Sequence, residues 1–573
     1  MIPLMQNLKP LIVQGDRSIL LDVHTPESDD ARFALIPFTE LEKSPEHMHT
    51  YRISHLSLWN AASAGMTVPQ IIGVLTKYSR YPLKESVVTW MTETIARYGK
   101  IILRPSDYED CLYLIVENNL IFKELSNLST MKKYIIRESE EDLAFLINIL
   151  DRGVVKQALL HQGWPCKDEV PLKDGDAFPI ELKDVASSGK KLEIRDYQKE
   201  ASECFVGKKA VGTGFGTIAL PCGAGKTVVG LVVMAELKVE TVILTTNISA
   251  VYQWKREILD KTDIKESDIG IYSSAEKNIR PITIATYQIL TWRENTYSPF
   301  VHFKIFKERN WGLIIYDEVH LLPAPVFRIT AELQIVRRLG LTATLVREDG
   351  HEGDIFSLVG PKRFDVPWKD LEQKGWIAKA YCIEVNVDLE TNKEMEYAVA
   401  SMREKYRIAS ENKNKIPLIK RILERHKEDS VLIIGQYISQ LEEIKKEIGA
   451  PILTGKSSTK MREALYEDFR RGKVKVIIVS KIANFAIDLP DASVAIQISG
   501  SYGSRQEEAQ RLGRILRPKE KSSFFYTITT KDTVERDFAE KRQKFLAEQG
   551  YDYTVLTNKN IEEFFASQYA PFQ

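Results

Sequence analysis

An apolar run, a glycine-bearing loop and a second apolar run meet at Leu220-Pro221-Cys222-Gly223-Ala224-Gly225-Lys226-Thr227, and that order leaves few folds open to this chain. The loop precedes Val228-Val229-Gly230-Leu231-Val232-Val233, so it reads as a phosphate-binding turn that opens a buried helix. Gly223 and Gly225 let the backbone bend until several N–H groups converge on the β- and γ-phosphates of a nucleoside triphosphate, helped by the positive end of the helix dipole. Lys226 adds a point charge, and the Thr227 hydroxyl suits Mg²⁺. The strict pattern wants a glycine where this chain has Leu220, so the stretch alone also fits a glycine turn capping a core helix.

A second element weighs the choice. Trp311-Gly312-Leu313-Ile314-Ile315-Tyr316 is a short apolar strand that runs into Asp317-Glu318-Val319-His320. At the carboxyl end of a strand in a parallel sheet, Asp317 can reach the Mg²⁺ shell and Glu318 can polarise the attacking water. His320 can link this site to whatever lies beside it. An acidic helix start after a strand is the plain alternative for Asp317-Glu318 taken alone; with the Lys226 loop, the nucleotide reading prevails.

A chain of 573 residues with 44% hydrophobic and 28% charged residues has the composition of an ordinary multidomain protein, with about three to five domains. Its formal net charge is zero, so nucleic-acid binding has to come from local basic surfaces. The first dozen residues lack a basic start followed by an apolar core, and no apolar run approaches bilayer length, which points to the cytoplasm and away from membranes. The five cysteines, Cys111, Cys166, Cys204, Cys222 and Cys382, lie far apart, which fits reduced thiols and argues against structural zinc or an iron–sulfur cluster. Cys222, inside the loop, is either reactive or simply a small side chain packed beneath it.

Four stretches follow one another. Residues 1–105 read as a winged-helix-like domain: strands at Leu11-Ile12-Val13 and Ile19–Val23, a helix Val68–Lys77 capped by Thr67, a break at Pro82, a helix Lys84–Tyr98, then Ile101-Ile102-Leu103 as a wing. Tyr78, Arg80, Tyr81, Lys84 and Arg97 around that turn suit phosphate and sugar contacts; a plain helical hairpin with a solvated basic edge fits equally. Residues 106–185 read as a small α/β domain ending in a polar linker, 167–191. From Leu192 the rhythm becomes apolar strands alternating with amphipathic helices, which predicts a parallel sheet over 186–375 and a second over 376–573. In the second, Gln510-Arg511-Leu512-Gly513-Arg514-Ile515-Leu516-Arg517 sets Arg514 and Arg517 three apart on one helix face, able to clamp a γ-phosphate or to bridge carboxylates such as Glu507 and Glu508.

With these motifs in this order, the chain from about Leu192 onward resembles superfamily two helicases. More narrowly, the loop with its Leu220 departure, the Arg347-Glu348-Asp349 element after Thr342-Ala343-Thr344, and the N-terminal stretches 42–47 and 57–62 resemble the XPB family in its short archaeal form. The resemblance implies an α/β fold of two RecA-like parallel-sheet motor lobes, preceded by small N-terminal helical and α/β DNA-binding domains, with 106–185 as a damage-recognition-like domain. It implies ATP and Mg²⁺ as cofactors, with Lys226, Asp317, Glu318, Arg514 and Arg517 as the catalytic set and Thr227 and Asp317 on the metal. Arg195, Gln198, Gly223, Gly225, Lys226, Thr227 and Gln510 would bind nucleotide. Arg347, Glu348, Asp349, Thr342 and Thr344 would couple hydrolysis to DNA opening. Thr286-Tyr287, Gln253-Trp254-Lys255 and Ser480–Asp488 resemble segments lining the nucleic-acid track or the cleft, although Phe485-Ala486-Ile487-Asp488 lacks the glycine that many relatives carry before the aspartate.

The segment of about 393–415, with Arg403, Lys405, Arg407, Lys413 and Lys415, takes the place of that family's thumb-like DNA-gripping insertion; a solvated helix with Glu–Lys pairs fits its composition equally. The implied activity is that of an ATP-dependent DNA translocase and helicase. It would open double-stranded or bubble DNA in nucleotide excision repair, or in transcription, beside a structure-specific nuclease. The alternatives are a nucleotide-switched DNA-binding scaffold that recruits a nuclease, and an RNA helicase of the same superfamily.

Overall fold

The computed structural model describes residues 9–43, 48–209, 212–221, 223–295, 298, 300–323, 325–326, 330, 333–334, 336–343, 352–366, 368–480, 492–500, 511–513, 515, 522–548, 551 and 553–567. The chain divides into two compact units: Met1–Glu42, His47–Leu220 and Gly225–Val366, and Lys43–Glu46, Pro221–Ala224 and Pro367–Gln573.

The N-terminal stretch forms a four-stranded sheet of β1 (Leu11–Val13), β2 (Ser18–Asp22), β3 (Glu40–Lys43) and β4 (Met48–Arg52), in the order β1-β2-β4-β3. Three helices follow, His55–Ser63, Val68–Tyr78 and Glu85–Arg97. Thr67 caps the second, and Ile71, Leu75 and Tyr78 turn its apolar face inward, as their spacing requires. β5 (Ile101–Pro105) does not stand as a wing on these helices. It pairs antiparallel with β6 (Cys111–Val116) and, with β7 (Ile135–Ser139), β8 (Ala144–Asn148) and β9 (Cys166–Asp168), makes a five-stranded sheet ordered β7-β8-β6-β5-β9. Alternation in β6 signals such a one-sided sheet: Leu112, Leu114 and Val116 are buried and the residues between them less so.

The polar stretch after β9 is laid along the same unit. Phe178 N–H donates to Lys238 O at 2.9 Å, Lys183 N–H to Lys261 O at 2.9 Å, and Arg337 pairs with Asp174 at 2.8 Å. Composition alone shows charges, prolines and glycines; it does not show that the backbone groups find partners on a neighbouring surface.

Seven parallel strands then build the first α/β lobe: β10 (Phe215–Ala219), β11 (Thr241–Thr245), β12 (Ile269–Tyr272), β13 (Ile282–Thr286), β14 (Leu313–Asp317), β15 (Arg337–Thr342) and β16 (Lys362–Asp365). Their order is β12-β13-β11-β14-β15-β10-β16. Val242-Ile243-Leu244 and Leu313–Tyr316 are fully buried, as unbroken apolar runs are when helices cover both faces. A second seven-stranded parallel sheet lies in the other unit: β17 (Ala380–Val387), β18 (Val431–Gly435), β19 (Ile452–Leu453), β20 (Val476–Ser480), β21 (Val494–Gln497), β22 (Ser523–Thr530) and β23 (Tyr553–Thr557), ordered β19-β20-β18-β21-β22-β17-β23. The α/β reading with two parallel-sheet lobes holds. No helix among the described residues is long and apolar enough to cross a membrane.

Candidate active site

Adjacent strand ends place the site. β14, β15 and β10 are neighbours and run the same way, so Asp317, Thr342 and the loop after Ala219 emerge along one rim. Leu220 N–H donates to Thr342 O at 3.0 Å, which ties the start of the loop to the end of the neighbouring strand β15. Leu220 itself is buried, so the residue standing where the strict pattern wants glycine serves the core.

The loop turns on Gly223 and Gly225, at φ of 82° and 84°. Gly225 caps the helix Lys226–Leu237, and a Cβ on it would sit 2.5 Å from Gln198 Nε2. Gln198 therefore reaches the phosphate loop. Gln198 is buried in the first turn of the helix Asp196–Val206, its Oε1 accepts Arg195 N–H at 3.0 Å, and Arg195 Nη1 donates to Tyr197 OH at 3.0 Å. Lys226 Nζ lies 3.6 Å from Glu318 Oε1, and Thr227 follows it, half-buried.

Glu318 adopts a left-handed backbone, φ 49° and ψ 55°, a conformation that costs a non-glycine residue about 1–3 kcal/mol and that clusters at functional sites. Its Oε2 is buried with no hydrogen-bond partner among the described residues and lies 3.6 Å from His320 Nδ1. Burial pushes this carboxyl up, but Lys226, His320 and the Ala343 amide outweigh burial and hold it below the ordinary glutamate range. Asp317 behaves oppositely. Burial first, then the Glu318 charge, pushes it up to about 6, against the lowering pull of Trp254 and Lys226.

Two contacts on Asp317 are not legible in any motif. The Trp254 indole N–H donates to Asp317 Oδ2 at 3.0 Å, and Tyr287 OH donates to Asp317 O at 2.9 Å. Trp254 is buried beneath the phosphate-loop helix, where a Cβ on Gly230 would meet its ring at 2.7 Å. It positions the aspartate rather than lining an open track, and the sequence signal is only that a buried indole needs an acceptor. His320 and Thr342 share a hydrogen bond of 2.7 Å, so the Asp-Glu-Val-His segment is joined to the strand end at Thr342.

Gln510, Arg514, Arg517, Thr344, Arg347, Glu348, Asp349 and the stretch 481–488 lie outside the described residues. Arg511, in the same stretch as the arginine pair, is buried against Gln497. The thumb-like segment is helical at Glu394–Val399 and Met402–Ser410. Lys415 does not belong with its exposed cations: it is buried, 2.7 Å from Glu535 and 2.8 Å from Ile498 O. Arg407 pairs with Glu411 at 2.9 Å and Lys413 with Glu443 at 2.8 Å, while Arg403 is exposed and Lys405 is half-buried over the Tyr397 ring.

Residues 371–570 match the family described as ERCC3/RAD25/XPB C-terminal helicase, and residues 191–347 match that of the type III restriction enzyme res subunit. A helicase conserved C-terminal domain family matches residues 11–140. The chain is 48% identical to the DNA 3'-5' helicase XPB of Mycobacterium tuberculosis over 95% of this chain and 97% of the relative. The chain belongs to the XPB family. A general transcription and DNA repair factor IIH helicase/translocase subunit XPB, from Encephalitozoon cuniculi, is 31% identical over 96% of this chain and 83% of that one. A solved structure, S. cerevisiae Dbp5 bound to RNA and ADP BeF3, aligns at 14% identity and a TM-score of 0.46, over 65% of this chain and 92% of that chain. XPB-family helicases are ATP-driven enzymes.

Proposed function

We propose that the chain is an ATP-driven DNA translocase and helicase that opens duplex or bubble DNA in nucleotide excision repair, in the cytoplasm and beside a structure-specific nuclease. The observation that supports it best is the meeting of a phosphate-directed ammonium and a water-directed carboxylate, with Lys226 Nζ 3.6 Å from Glu318 Oε1 on the rim that also carries Asp317 and Thr342. The names of the relatives add the strand, DNA, and make transcription a second setting.

The Gly223–Gly225 amides and Lys226 bind the β- and γ-phosphates. Asp317 and the Thr227 hydroxyl suit Mg²⁺, a hard cation that takes few protein oxygens when phosphates supply the rest, and the buried Glu318 Oε2, with no hydrogen-bond partner among the described residues, leaves an acceptor for a water beside it. Mg²⁺, when bound, neutralises charge building on the phosphates. Glu318, held ionised by Lys226 and His320, accepts the proton of the attacking water. Arg514 and Arg517 are proposed for the outer phosphate, and Gln198, Arg195 and Gln510 for the nucleotide. His320 passes the loss of that phosphate to Thr342 and on to Thr344 and the Arg347-Glu348-Asp349 element, which opens the duplex.

ATP hydrolysis by the wild type and by Glu318→Gln, with duplex, bubble and forked DNA, tests the reading. DNA should stimulate the wild type, and the variant should lose roughly 10²–10⁴-fold of its turnover while still binding ATP. Unchanged turnover would remove Glu318 as the base. A hydrolysis-dead variant that still supports a nuclease would favour the switched scaffold, and stronger stimulation by RNA would move the chain to another substrate.

A further inference from the structure

Trp292 is the one exposed tryptophan among the described residues, with 51% of its surface in contact with solvent. An indole left in water is an unused binding surface, and this one is firmly mounted. It follows the short helical turn Tyr287–Leu290, which Thr286 caps from the end of β13, and its own N–H donates to Ile289 O at 3.2 Å. On its inner side lies His302, with ring centroids 5.7 Å apart, and His302 is buried and bonded through Nδ1 to Tyr272 OH at 2.9 Å. Tyr272 closes β12, the edge strand of the first lobe. Three rings thus form a column from the sheet edge to solvent.

The charge around this column is selective. Burial, then the nearby Lys277 and Lys304, push the His302 imidazole down, so the ring beneath the indole stays neutral with two cations near it. Lys277 and Lys304 are exposed and have no ion-pair partner among the described residues. Arg293 lies with its guanidinium 4.7 Å from the Phe300 ring centroid. Of the acidic groups close by, Glu276 accepts a hydrogen bond from Tyr252 OH at 3.2 Å, Glu294 lies on the flanking loop, and Glu308, at the end of the helix Ile305–Glu308, acts on Tyr272 at the foot of the column. An exposed aromatic face with unpaired cations nearby is the combination that takes a nucleic-acid base by stacking and the neighbouring phosphates by charge.

We propose that Trp292, seated on His302 and flanked by Lys277 and Lys304, is a stacking platform for an unpaired DNA base, which carries the strand's path past Thr286-Tyr287 to the edge of the first lobe. The proposal rests on the DNA-helicase reading above and adds a contact to it. It requires a base free of its complement, so the platform discriminates opened from closed DNA. A protein hot spot of the same composition would be indifferent to that difference.

The test uses the full chain with labelled single-stranded, forked and blunt duplex DNA, reading binding anisotropy and the DNA concentration for half-maximal ATPase stimulation. Trp292→Ala should raise both values on the order of tenfold for single-stranded and forked DNA and much less for blunt duplex. Trp292→Phe should recover most of the loss, and ATP hydrolysis without DNA should not change. Lys277→Ala with Lys304→Ala should flatten the salt dependence by up to about two phosphate contacts on every DNA. Equal binding of forked DNA by wild type and Trp292→Ala would overturn the platform, and so would an equal loss on blunt duplex. If no DNA stimulates the wild type, the broader DNA reading fails; stimulation untouched by Trp292→Ala sinks the platform alone.

Discussion

The Trp254 indole N–H lies 3.0 Å from Asp317 Oδ2, so a residue on the helix Ile248–Lys261 sets the orientation of the carboxylate that closes β14. That hydrogen bond also favours the ionised form of an aspartate that burial and Glu318 push up to about 6.

Trp254→Phe keeps the ring and removes the donor. Asp317 then rises further, and less of it is ionised to receive Mg²⁺ at neutral pH. The Mg²⁺ concentration for half-maximal ATPase should rise several-fold, with a stability loss of about 1 kcal/mol for the missing hydrogen bond. In the wild type, Mg²⁺-dependent nucleotide binding should weaken as pH falls through about 6, because protons and the cation compete for Asp317. The metal-free protein should show the reverse contribution to stability. An aspartate raised in the fold binds more protons there than when unfolded, so this group's contribution is largest below its unfolded range and declines as pH rises to about 6. Denaturation midpoints between pH 4 and pH 7 (about those bounds), with and without Mg²⁺, check both signs.

Thr342→Val tests coupling. It keeps the shape of the strand end and leaves His320 Nδ1, now 2.7 Å from Thr342 Oγ1, without that partner. Loss of that buried hydrogen bond should cost about 1 kcal/mol, visible as a lower melting temperature. If His320 carries the state of the nucleotide site to this strand, unwinding should fall about tenfold more than ATP hydrolysis does, a difference of about 1.4 kcal/mol. Parallel losses in the two activities would make the contact merely structural.

Lys415→Met separates the thumb-like segment's exposed cations from its buried one. Lys415 and Glu535 are each 1% exposed, and removing the lysine alone leaves a buried carboxylate without its cation. That should cost about 3–5 kcal/mol, whereas Lys415→Met with Glu535→Leu should recover most of it. DNA affinity of the double variant should match the wild type; a drop would return Lys415 to the DNA-gripping set.

The motor lobes were legible because parallel strands covered on both faces read as unbroken apolar runs, and a loop such as Gly223–Lys226 can do little but meet phosphate. The N-terminal half was harder. Ile101-Ile102-Leu103 has the same pattern whether it flanks two helices or joins a sheet, and only its register, Ile101 opposite Val116, decides. In the site, Lys226, Asp317 and Glu318 announce themselves by motif, whereas Trp254 and Tyr287 reach Asp317 from elements distant in sequence. Lys415 shows the opposite limit: its neighbours make it look like surface charge, and only the fold brings Glu535 to it.

A second buried charge cluster joins the five-stranded domain to the first lobe, and its imbalance makes the sharpest stability prediction. Asp168 is gripped by Arg152 at 2.8 Å and by Lys156 at 2.9 Å, while Lys156 and Arg338 also face the Phe215 ring at 5.6 and 5.5 Å. Burial pushes Asp168 up, but Lys156 and Arg152 outweigh it and hold the carboxyl well below the usual range. Burial pushes Lys156 down to about 8, with Asp168 pulling it back and Arg338 and Arg152 adding to the fall. Asp168→Asn removes the carboxylate that both Arg152 and Lys156 pair with and should cost about 3–5 kcal/mol at neutral pH. Lys156 then falls further, so the folded variant sheds a proton that the unfolded chain keeps, and its stability should rise as pH goes from about 7 to about 9. Lys156→Met in that background should give the same relief at neutral pH and abolish the alkaline gain. Melting curves across that range that run parallel to the wild type would mean that Lys156 is not confined with its charge in the way the 2.9 Å contact implies.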